Sequence, residues 1–301
     1  MKAKARSPKS LLLAAGVSLI AQSAFGQSPP SAPAPAPAAA PPAKFETTKV
    51  ADGVYTFRYQ FHRNVFLVTS DGVIATDPIS PDAAAAMMDE IKKVTDKPVK
   101  YVIYTHNHYD HTLGGKIFKD AGAKFVSQEN CIDEFRKHPN PALVMPDETY
   151  KDKRDLTLGD RAVELRYFGR NHSNCMTVIR LPKEKILVAV DIVGYKRTAF
   201  RTMPDYWPVE WIASLNEIDK LDFERVIPGH GAPVVPREAV RLTREYLEDL
   251  MAAVQTAMKE THDPEKLKQT VKLPKYQDWA NYEIALPLNI ERVWAHYELG
   301  W

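Results

Sequence analysis

Cysteine is nearly missing from this chain, with only Cys131 and Cys175 among 301 residues. Two cysteines cannot form a disulfide framework, and whether they pair in an oxidising compartment is left open at this level. Net charge is also nearly absent: 40 Lys and Arg stand against 38 Asp and Glu, a formal +2. Four of the basic residues, Lys2, Lys4, Arg6 and Lys9, lie at the start with no acidic counterpart, so the rest of the chain is near −2. A near-neutral domain argues against a nucleic-acid backbone as partner. Long hydrophobic runs are missing too. The apolar stretch 11–21 is too short to span a bilayer. No internal repeat and no second linker divides the remainder.

What is present at the front is a leader pattern. The basic start, the short apolar stretch and the small residues Ala24-Phe25-Gly26 read as a secretory signal peptide over 1–26. The expected location is therefore the bacterial periplasm or the exterior, with no stable membrane insertion after cleavage. Residues 27–44 are dominated by Pro and Ala, which cannot bury apolar surface, so a disordered linker is expected there. The domain then runs over 45–301, long enough for one good core.

Strand-type runs occur at 54–59, 65–69 and 73–76, with Asp71-Gly72 as a hairpin turn. A helix is predicted over 82–93, started near Ser80-Pro81. Further strands are predicted at 100–104, 124–127, 162–168, 176–181, 186–190 and 226–227. Helices are expected at 116–121, 129–137 and 209–221, with a long one after 236. Residues 138–152, with three prolines, read as a loop.

The apolar strand 100–104 leads into Thr105-His106-Asn107-His108-Tyr109-Asp110-His111. Imidazole nitrogen and carboxylate oxygen are preferred ligands of zinc and similar borderline metals. In extended backbone His106 and His108 project to one side, whereas Asp110 and His111, being adjacent, cannot both follow them. Two metals, one for each pair, is the natural reading; a polar loop with coincidental histidines is the competing one. Three other strand ends deliver similar side chains: His172, Asp191, and His230 within Pro228-Gly229-His230-Gly231. Five of the nine histidines lie at these four points.

As a set, these residues resemble the metallo-β-lactamase superfamily over about 45–231. The resemblance implies an α+β fold, an αββα sandwich of two mixed sheets flanked by helices, with metals at one edge. It implies His106, His108 and His172 as ligands of a first metal, and Asp110, His111 and His230 as ligands of a second. Asp191 resembles the carboxylate that bridges both, and Asp77 a residue that supports the metal loops; a turn-capping aspartate before Pro78 is the alternative for Asp77. The antibiotic-hydrolysing branch that is best known has cysteine at the Asp191 position. Asp191 therefore points to the wider hydrolases, including lactonases and esterases.

The function so implied is a secreted hydrolase with two Zn(2+), or other divalent metals such as iron or manganese. A shared hydroxide would attack a carbonyl of a small-molecule β-lactam, lactone, ester or thioester, with Asp110 as a catalytic residue orienting it or carrying a proton. A mononuclear-iron sulfur dioxygenase on the same fold is the alternative. The loop 194–208, with Tyr195, Lys196, Arg197, Arg201, Tyr206 and Trp207, offers basic groups for a substrate carboxylate and aromatic walls, or else a solvated basic loop. Cys131 reads as helix packing and Cys175 as a small buried residue. His62, His138, His262 and His296 have no metal-like companions and read as surface or packing residues. The aromatic tail Trp279, Tyr282, Trp294, Tyr297 and Trp301 is left undecided between core, a cover for the metal edge and a dimer contact.

Overall fold

The computed structural model describes residues 44–202 and 205–301. The leader and nearly all of the linker expected from sequence lie outside the described residues. Seven strands form the first sheet in sequence order: β1 (Phe45–Ala51), β2 (Val54–Tyr59), β3 (His62–Val68), β4 (Val73–Thr76), β5 (Val99–Ile103), β6 (Lys124–Gln128) and β7 (Glu148–Tyr150). Six form the second: β8 (Lys153–Leu158), β9 (Arg161–Arg166), β10 (Val178–Leu181), β11 (Ile186–Val188), β12 (Arg225–Ile227) and β13 (Val235–Pro236). Both sheets are mixed. In the first, β1 to β4 pair antiparallel and β4 to β7 parallel. In the second, only β11 and β12 pair parallel.

The helices are α1 (Pro81–Val94), α2 (Tyr109–Thr112), α3 (Lys116–Asp120), α4 (Asn130–Lys137), α5 (Pro208–Ile218), α6 (Glu238–Ala257), α7 (Pro264–Thr270) and α8 (Tyr282–Leu299). Among the described residues no helix is long and apolar enough to cross a membrane. The start of α1 follows from its sequence: Ser80 Oγ accepts from Ala83 N at 3.2 Å, and Pro81 occupies the first turn, where no donor is lost. The helix then buries Ala83, Ala84, Met87 and Ile91 on one face.

Three apolar layers result. Val65, Leu67, Ile103, Leu165, Val188 and Ile227 fill the space between the sheets. Ala83, Met87 and Ile91 of α1, Phe118 of α3 and Phe135 of α4 cover the outside of the first sheet. Residues of α5, α6, α7 and α8 cover the second, among them Trp211, Leu215, Leu247, Leu267 and Ile290. This is the αββα sandwich expected from sequence. Parallel pairing sends the carboxyl ends of β4 and β5, and of β11 and β12, to one edge, where polar side chains from both sheets can meet.

Three local expectations change. The stretch 138–152 is not loop throughout: Glu148–Tyr150 adds β7 to the edge of the first sheet through parallel pairing with β6. So short and polar a segment becomes a strand only because a partner edge is offered. The same holds for β1 and β8, which the sequence pattern left unassigned. The aromatic tail resolves as helix α8 packed on α6 and α7, with Tyr282 in the core and Trp301 exposed.

The two cysteines are neither separate nor merely packed: Cys131 of α4 and Cys175 form a disulfide. The bond closes a loop with a sequence separation of 44 and pins the segment before β10 to α4. In the chain-entropy picture a loop of this size is worth about 3–4 kcal/mol. A Cys131→Ser/Cys175→Ser double variant is expected to lose about that much in urea denaturation; a variant as stable as the oxidised chain would refute it.

Candidate metal centre

The histidine cluster sits where β5 ends. Its backbone is anchored by Asp77 at the end of β4. Asp77 is fully buried and accepts from Thr105 N at 2.8 Å and from Thr105 Oγ1 at 2.7 Å. The supporting role read from the resemblance therefore matches the geometry. Burial pushes the Asp77 carboxyl up to about 6, against the lowering pull of His111 and the Thr105 hydrogen bonds.

The Thr105 hydroxyl also fixes a ring. Its proton goes to Asp77, so at 3.0 Å His106 Nδ1 must be the donor to Oγ1. That leaves His106 Nε2 as a lone pair facing inward. His230 repeats the device, its Nδ1 meeting the Phe61 carbonyl at 2.6 Å while Nε2 faces Asp191. His108 is turned the other way round: Nε2 is 2.6 Å from Asp205 Oδ2, and Nδ1 is 3.1 Å from His172 Nε2. An outer partner that sets tautomer and direction is what a ligating histidine requires.

Asp191 stands at the centre. Its Oδ2 lies 3.1 Å from His111 Nε2, 3.6 Å from His172 Nε2 and 3.8 Å from His106 Nε2, and its Oδ1 lies 3.1 Å from His230 Nε2. The residue is held at φ 60, a left-handed conformation uncommon for aspartate. Gly229 permits this approach: a Cβ there would fall 2.0 Å from Asp191 Oδ1. The glycine of Pro228-Gly229-His230-Gly231 is thus a steric requirement of the site.

Among the described residues three groups of side chains could hold a cation: His106 with His108 and His172, His62 with His111 and His230, and His106 with His111 and Asp191. In each, the ligand atoms lie within 4.8 Å of one another. His106 Nε2, His111 Nε2 and Asp191 Oδ1 are buried and lack a hydrogen-bond partner among the described residues. Buried polar atoms are seldom left so. Two such imidazole nitrogens facing the Asp191 carboxylate, with its second oxygen also left over, fit a divalent cation.

The electrostatics agree. Burial, reinforced by neighbouring histidines, holds His106 well below its ordinary value and lowers His172 to about 3, so both are neutral imidazoles, the form that ligates metals. Burial works against charge on His111 as well, but Asp191, with Asp77 and Asp110 behind it, carries His111 up to about 9. Burial disfavours the Asp191 charge, yet His230 and His111 hold its carboxyl well below the usual range. The field at this edge is one that calls for positive charge.

One departure from the sequence reading is His62. Rather than a surface or packing residue, it lines the second group, its ring 5.3 Å from that of His111 and 5.1 Å from that of His230. Its Nε2 lies 2.9 Å from Asp110 Oδ2. Asp110 itself is half-exposed, and its Oδ2 is 4.0 Å from His111 Nε2, at the rim of the cluster. Asp205 was also missed. No local motif marks it; it lies 97 residues from His108. His138, His262 and His296 take no part in the three groups.

The edge opens into a cleft of about 560 Å³, lined by His62, His108, Asp110, His172, Asp191 and His230 on one side and by loop 193–201 and α6 on the other.

A family model described as the metallo-beta-lactamase superfamily matches residues 58–230. The chain belongs to that superfamily. Among curated relatives of this metallo-beta-lactamase superfamily member is a linear primary-alkylsulfatase of Pseudomonas sp., 24% identical over 264 residues, covering 68% of this chain and 49% of the relative. The chain thus spans about half the length of that protein. A metallo-beta-lactamase type 2 of Elizabethkingia meningoseptica is 29% identical over 232 residues, covering 73% of this chain and 86% of the relative. The solved structure of a metallo-beta-lactamase from Pontibacter korlensis superposes with a TM-score of 0.62 at 20% identity, over 68% of this chain and 99% of that one. That likeness concerns the fold. Family, relatives and the three side-chain groups together support binding of a divalent metal by an enzyme.

Gly229→Ala is expected to keep the far-ultraviolet circular dichroism of the parent while weakening zinc binding by about tenfold or more, the scale seen when groups that orient ligands are disturbed. Competition with a chromophoric chelator measures this. Unchanged affinity would show that Asp191 does not need its observed place.

Proposed function

We propose that this chain is an exported, dinuclear zinc-dependent hydrolase of a carbonyl-type bond: β-lactam, lactone, ester or thioester. One observation carries the reading. Asp191 turns one carboxylate oxygen toward His106, His111 and His172 and the other toward His230. A carboxylate so shared supports two cations rather than one, with His106, His108 and His172 holding the first and His111 and His230, with Asp110, the second. His62 stands against the second group. When bound, the metals supply Lewis acidity and lower the pKa of water to about 7.

The remaining roles belong to the chain. Asp110 reaches the rim of the cleft, where it can orient a water molecule or take up and release a proton. Burial opposes its charge, but the hydrogen bond from His62 and the proximity of His111 hold its carboxyl below the usual range, so it works as an ionised acceptor. Arg197 and Arg201 line the cleft, and among the described residues no carboxylate pairs with either. Both are available to a substrate anion. Relatives named as an alkylsulfatase and as metallo-beta-lactamases support hydrolysis over oxidation. The Cys131–Cys175 disulfide supports export, since such bonds persist in oxidising compartments.

The test is turnover of a chromogenic cephalosporin, a simple lactone and a thioester by the zinc-loaded chain, with metal content measured on the same sample. Two zincs per chain and chelator-sensitive cleavage of at least one substrate are expected. One iron per chain with no cleavage would replace the reading by the dioxygenase.

Asp110→Asn is expected to retain the fold and cut turnover by about 10²-fold or more, the usual weight of a positioned acid or base. Wild-type turnover in this variant would remove Asp110 from the chemistry.

A further inference from the structure

His62 stands at the metal edge without an assigned part. It begins β3, directly after the two-residue connection Gln60-Phe61, and pairs with Tyr59 across that turn. A connection this short leaves the register of a hairpin no freedom, so the strands themselves decide where His62 sits. Residues two apart in a strand share a face. On that face Asn64 donates to the Asp77 carbonyl at 2.6 Å, beneath the histidine cluster, and His62 lies one step nearer the edge.

The turn is also bound to the loop that carries His230. The Phe61 carbonyl accepts from His230 Nδ1 at 2.6 Å, Arg63 N donates to the Gly229 carbonyl at 2.8 Å, and the Arg63 guanidinium donates to the Gly231 carbonyl at 3.0 Å. Arg63 is buried and donates to Thr56 Oγ1 at 3.0 Å as well. Phe61 leaves its ring in solvent, so these bonds, and not packing of the tip, hold the turn. They keep His62 and His230 at a fixed separation.

Asp191 thus stands between two sets of three histidines. The rings of His106, His108 and His172 lie 4.6 to 5.1 Å apart, and those of His62, His111 and His230 lie 5.1 to 5.9 Å apart. In both sets the ligand atoms come within 4.8 Å of one another. Atoms that each lie about 2.0–2.1 Å from one zinc stand about 2.9–3.4 Å from each other. In the first set His108 Nδ1 and His172 Nε2 are 3.1 Å apart. On the second side His111 Nε2 and Asp191 Oδ2 are 3.1 Å apart, His230 Nε2 and Asp191 Oδ1 3.1 Å, and His62 Nε2 and Asp110 Oδ2 2.9 Å. His111 Nε2 has no hydrogen-bond partner among the described residues. A proton fills the contact between His62 and Asp110 as it stands. With the imidazole proton on Nδ1 instead, His62 Nε2 offers a lone pair beside the carboxylate oxygen, and a cation can meet both.

We propose that His62 is a ligand of the second metal and completes, with His111 and His230, a three-imidazole set that mirrors the first. The proposal rests on the dinuclear reading above. A third neutral imidazole strengthens the second site without adding negative charge to it.

The competing role for His62 is a hydrogen bond to Asp110 and nothing more. His62→Gln keeps an N–H donor near Asp110 but removes the imidazole, whereas His62→Ala removes both. Metal binding to the full chain is measured by competition with a chromophoric chelator, with circular dichroism to verify the fold. The parent is expected to bind two zincs. Both variants are expected to keep one zinc at parent affinity and to bind the second about 10²-fold more weakly or worse, at or beyond the weight of an outer partner. In the cobalt(II)-loaded chain the visible d–d bands of one of the two ions should change in both variants. Parent affinity and a parent cobalt spectrum in His62→Gln, with weakening in His62→Ala alone, would reduce His62 to a hydrogen-bond donor and overturn the proposal. Two metals at parent affinity in both variants overturn it too and leave the dinuclear reading standing. A parent that binds a single metal removes the dinuclear reading and the second-site ligand with it.

Discussion

The site depends on one buried carboxylate. Asp191 is nearly sealed from solvent, sits in a left-handed backbone conformation, and is surrounded by the ring nitrogens of His106, His111, His172 and His230. Burying a charge is costly unless it is paired. Here the surrounding histidines give partial compensation, and two of them, His106 and His172, are themselves driven neutral by burial. The unsatisfied nitrogen and oxygen atoms that remain make the centre a place where a cation relieves several unfavourable burials at once. Folding and metal binding are coupled at such a site.

The frame around this carboxylate consists of parallel strand ends. The ends of β4 and β5 bring Asp77 and the histidine cluster together, and those of β11 and β12 bring Asp191 and His230. Hydrogen bonds from outside the cluster then choose which nitrogen of each ring points inward. The chain Asp77–Thr105–His106 and the contacts of His108 with Asp205 and of His230 with Phe61 make that choice. The disulfide between Cys131 and Cys175 adds a covalent tie three residues from His172. Rings that are aimed before metal arrives lose little entropy on binding it.

The C-terminal helices contribute through the substrate side of the cleft. Thr243 of α6 and Asn289 of α8 fasten the loop that comes after Asp191, which brings Arg197 and Arg201 to the lining of the cleft. Arg292 of α8 reaches the Tyr206 carbonyl at the other end of the same connection. Loops that bind ligands are ordinarily the least ordered parts of a fold. In this chain the extra helices counter that tendency.

The sequence by itself determined the main strands and helices and seven of the side chains at the edge, because period-two apolar runs and closely spaced histidines are local signals that survive without neighbours; the sandwich was implied by the resemblance to the family, not by those patterns. It did not show His62, whose nearest companion in the site, Asp110, is 48 residues away, nor Asp205, which lies 97 residues from His108. It left the cysteines undecided, since a pair separated by 44 residues is defined only by where α4 and the β10 approach come to rest. It read 138–152 as loop, because a three-residue strand such as β7 has no pattern of its own and exists only where β6 offers an edge. Contacts between distant segments decided these points, since chain order carries no signal for which segments will meet in space.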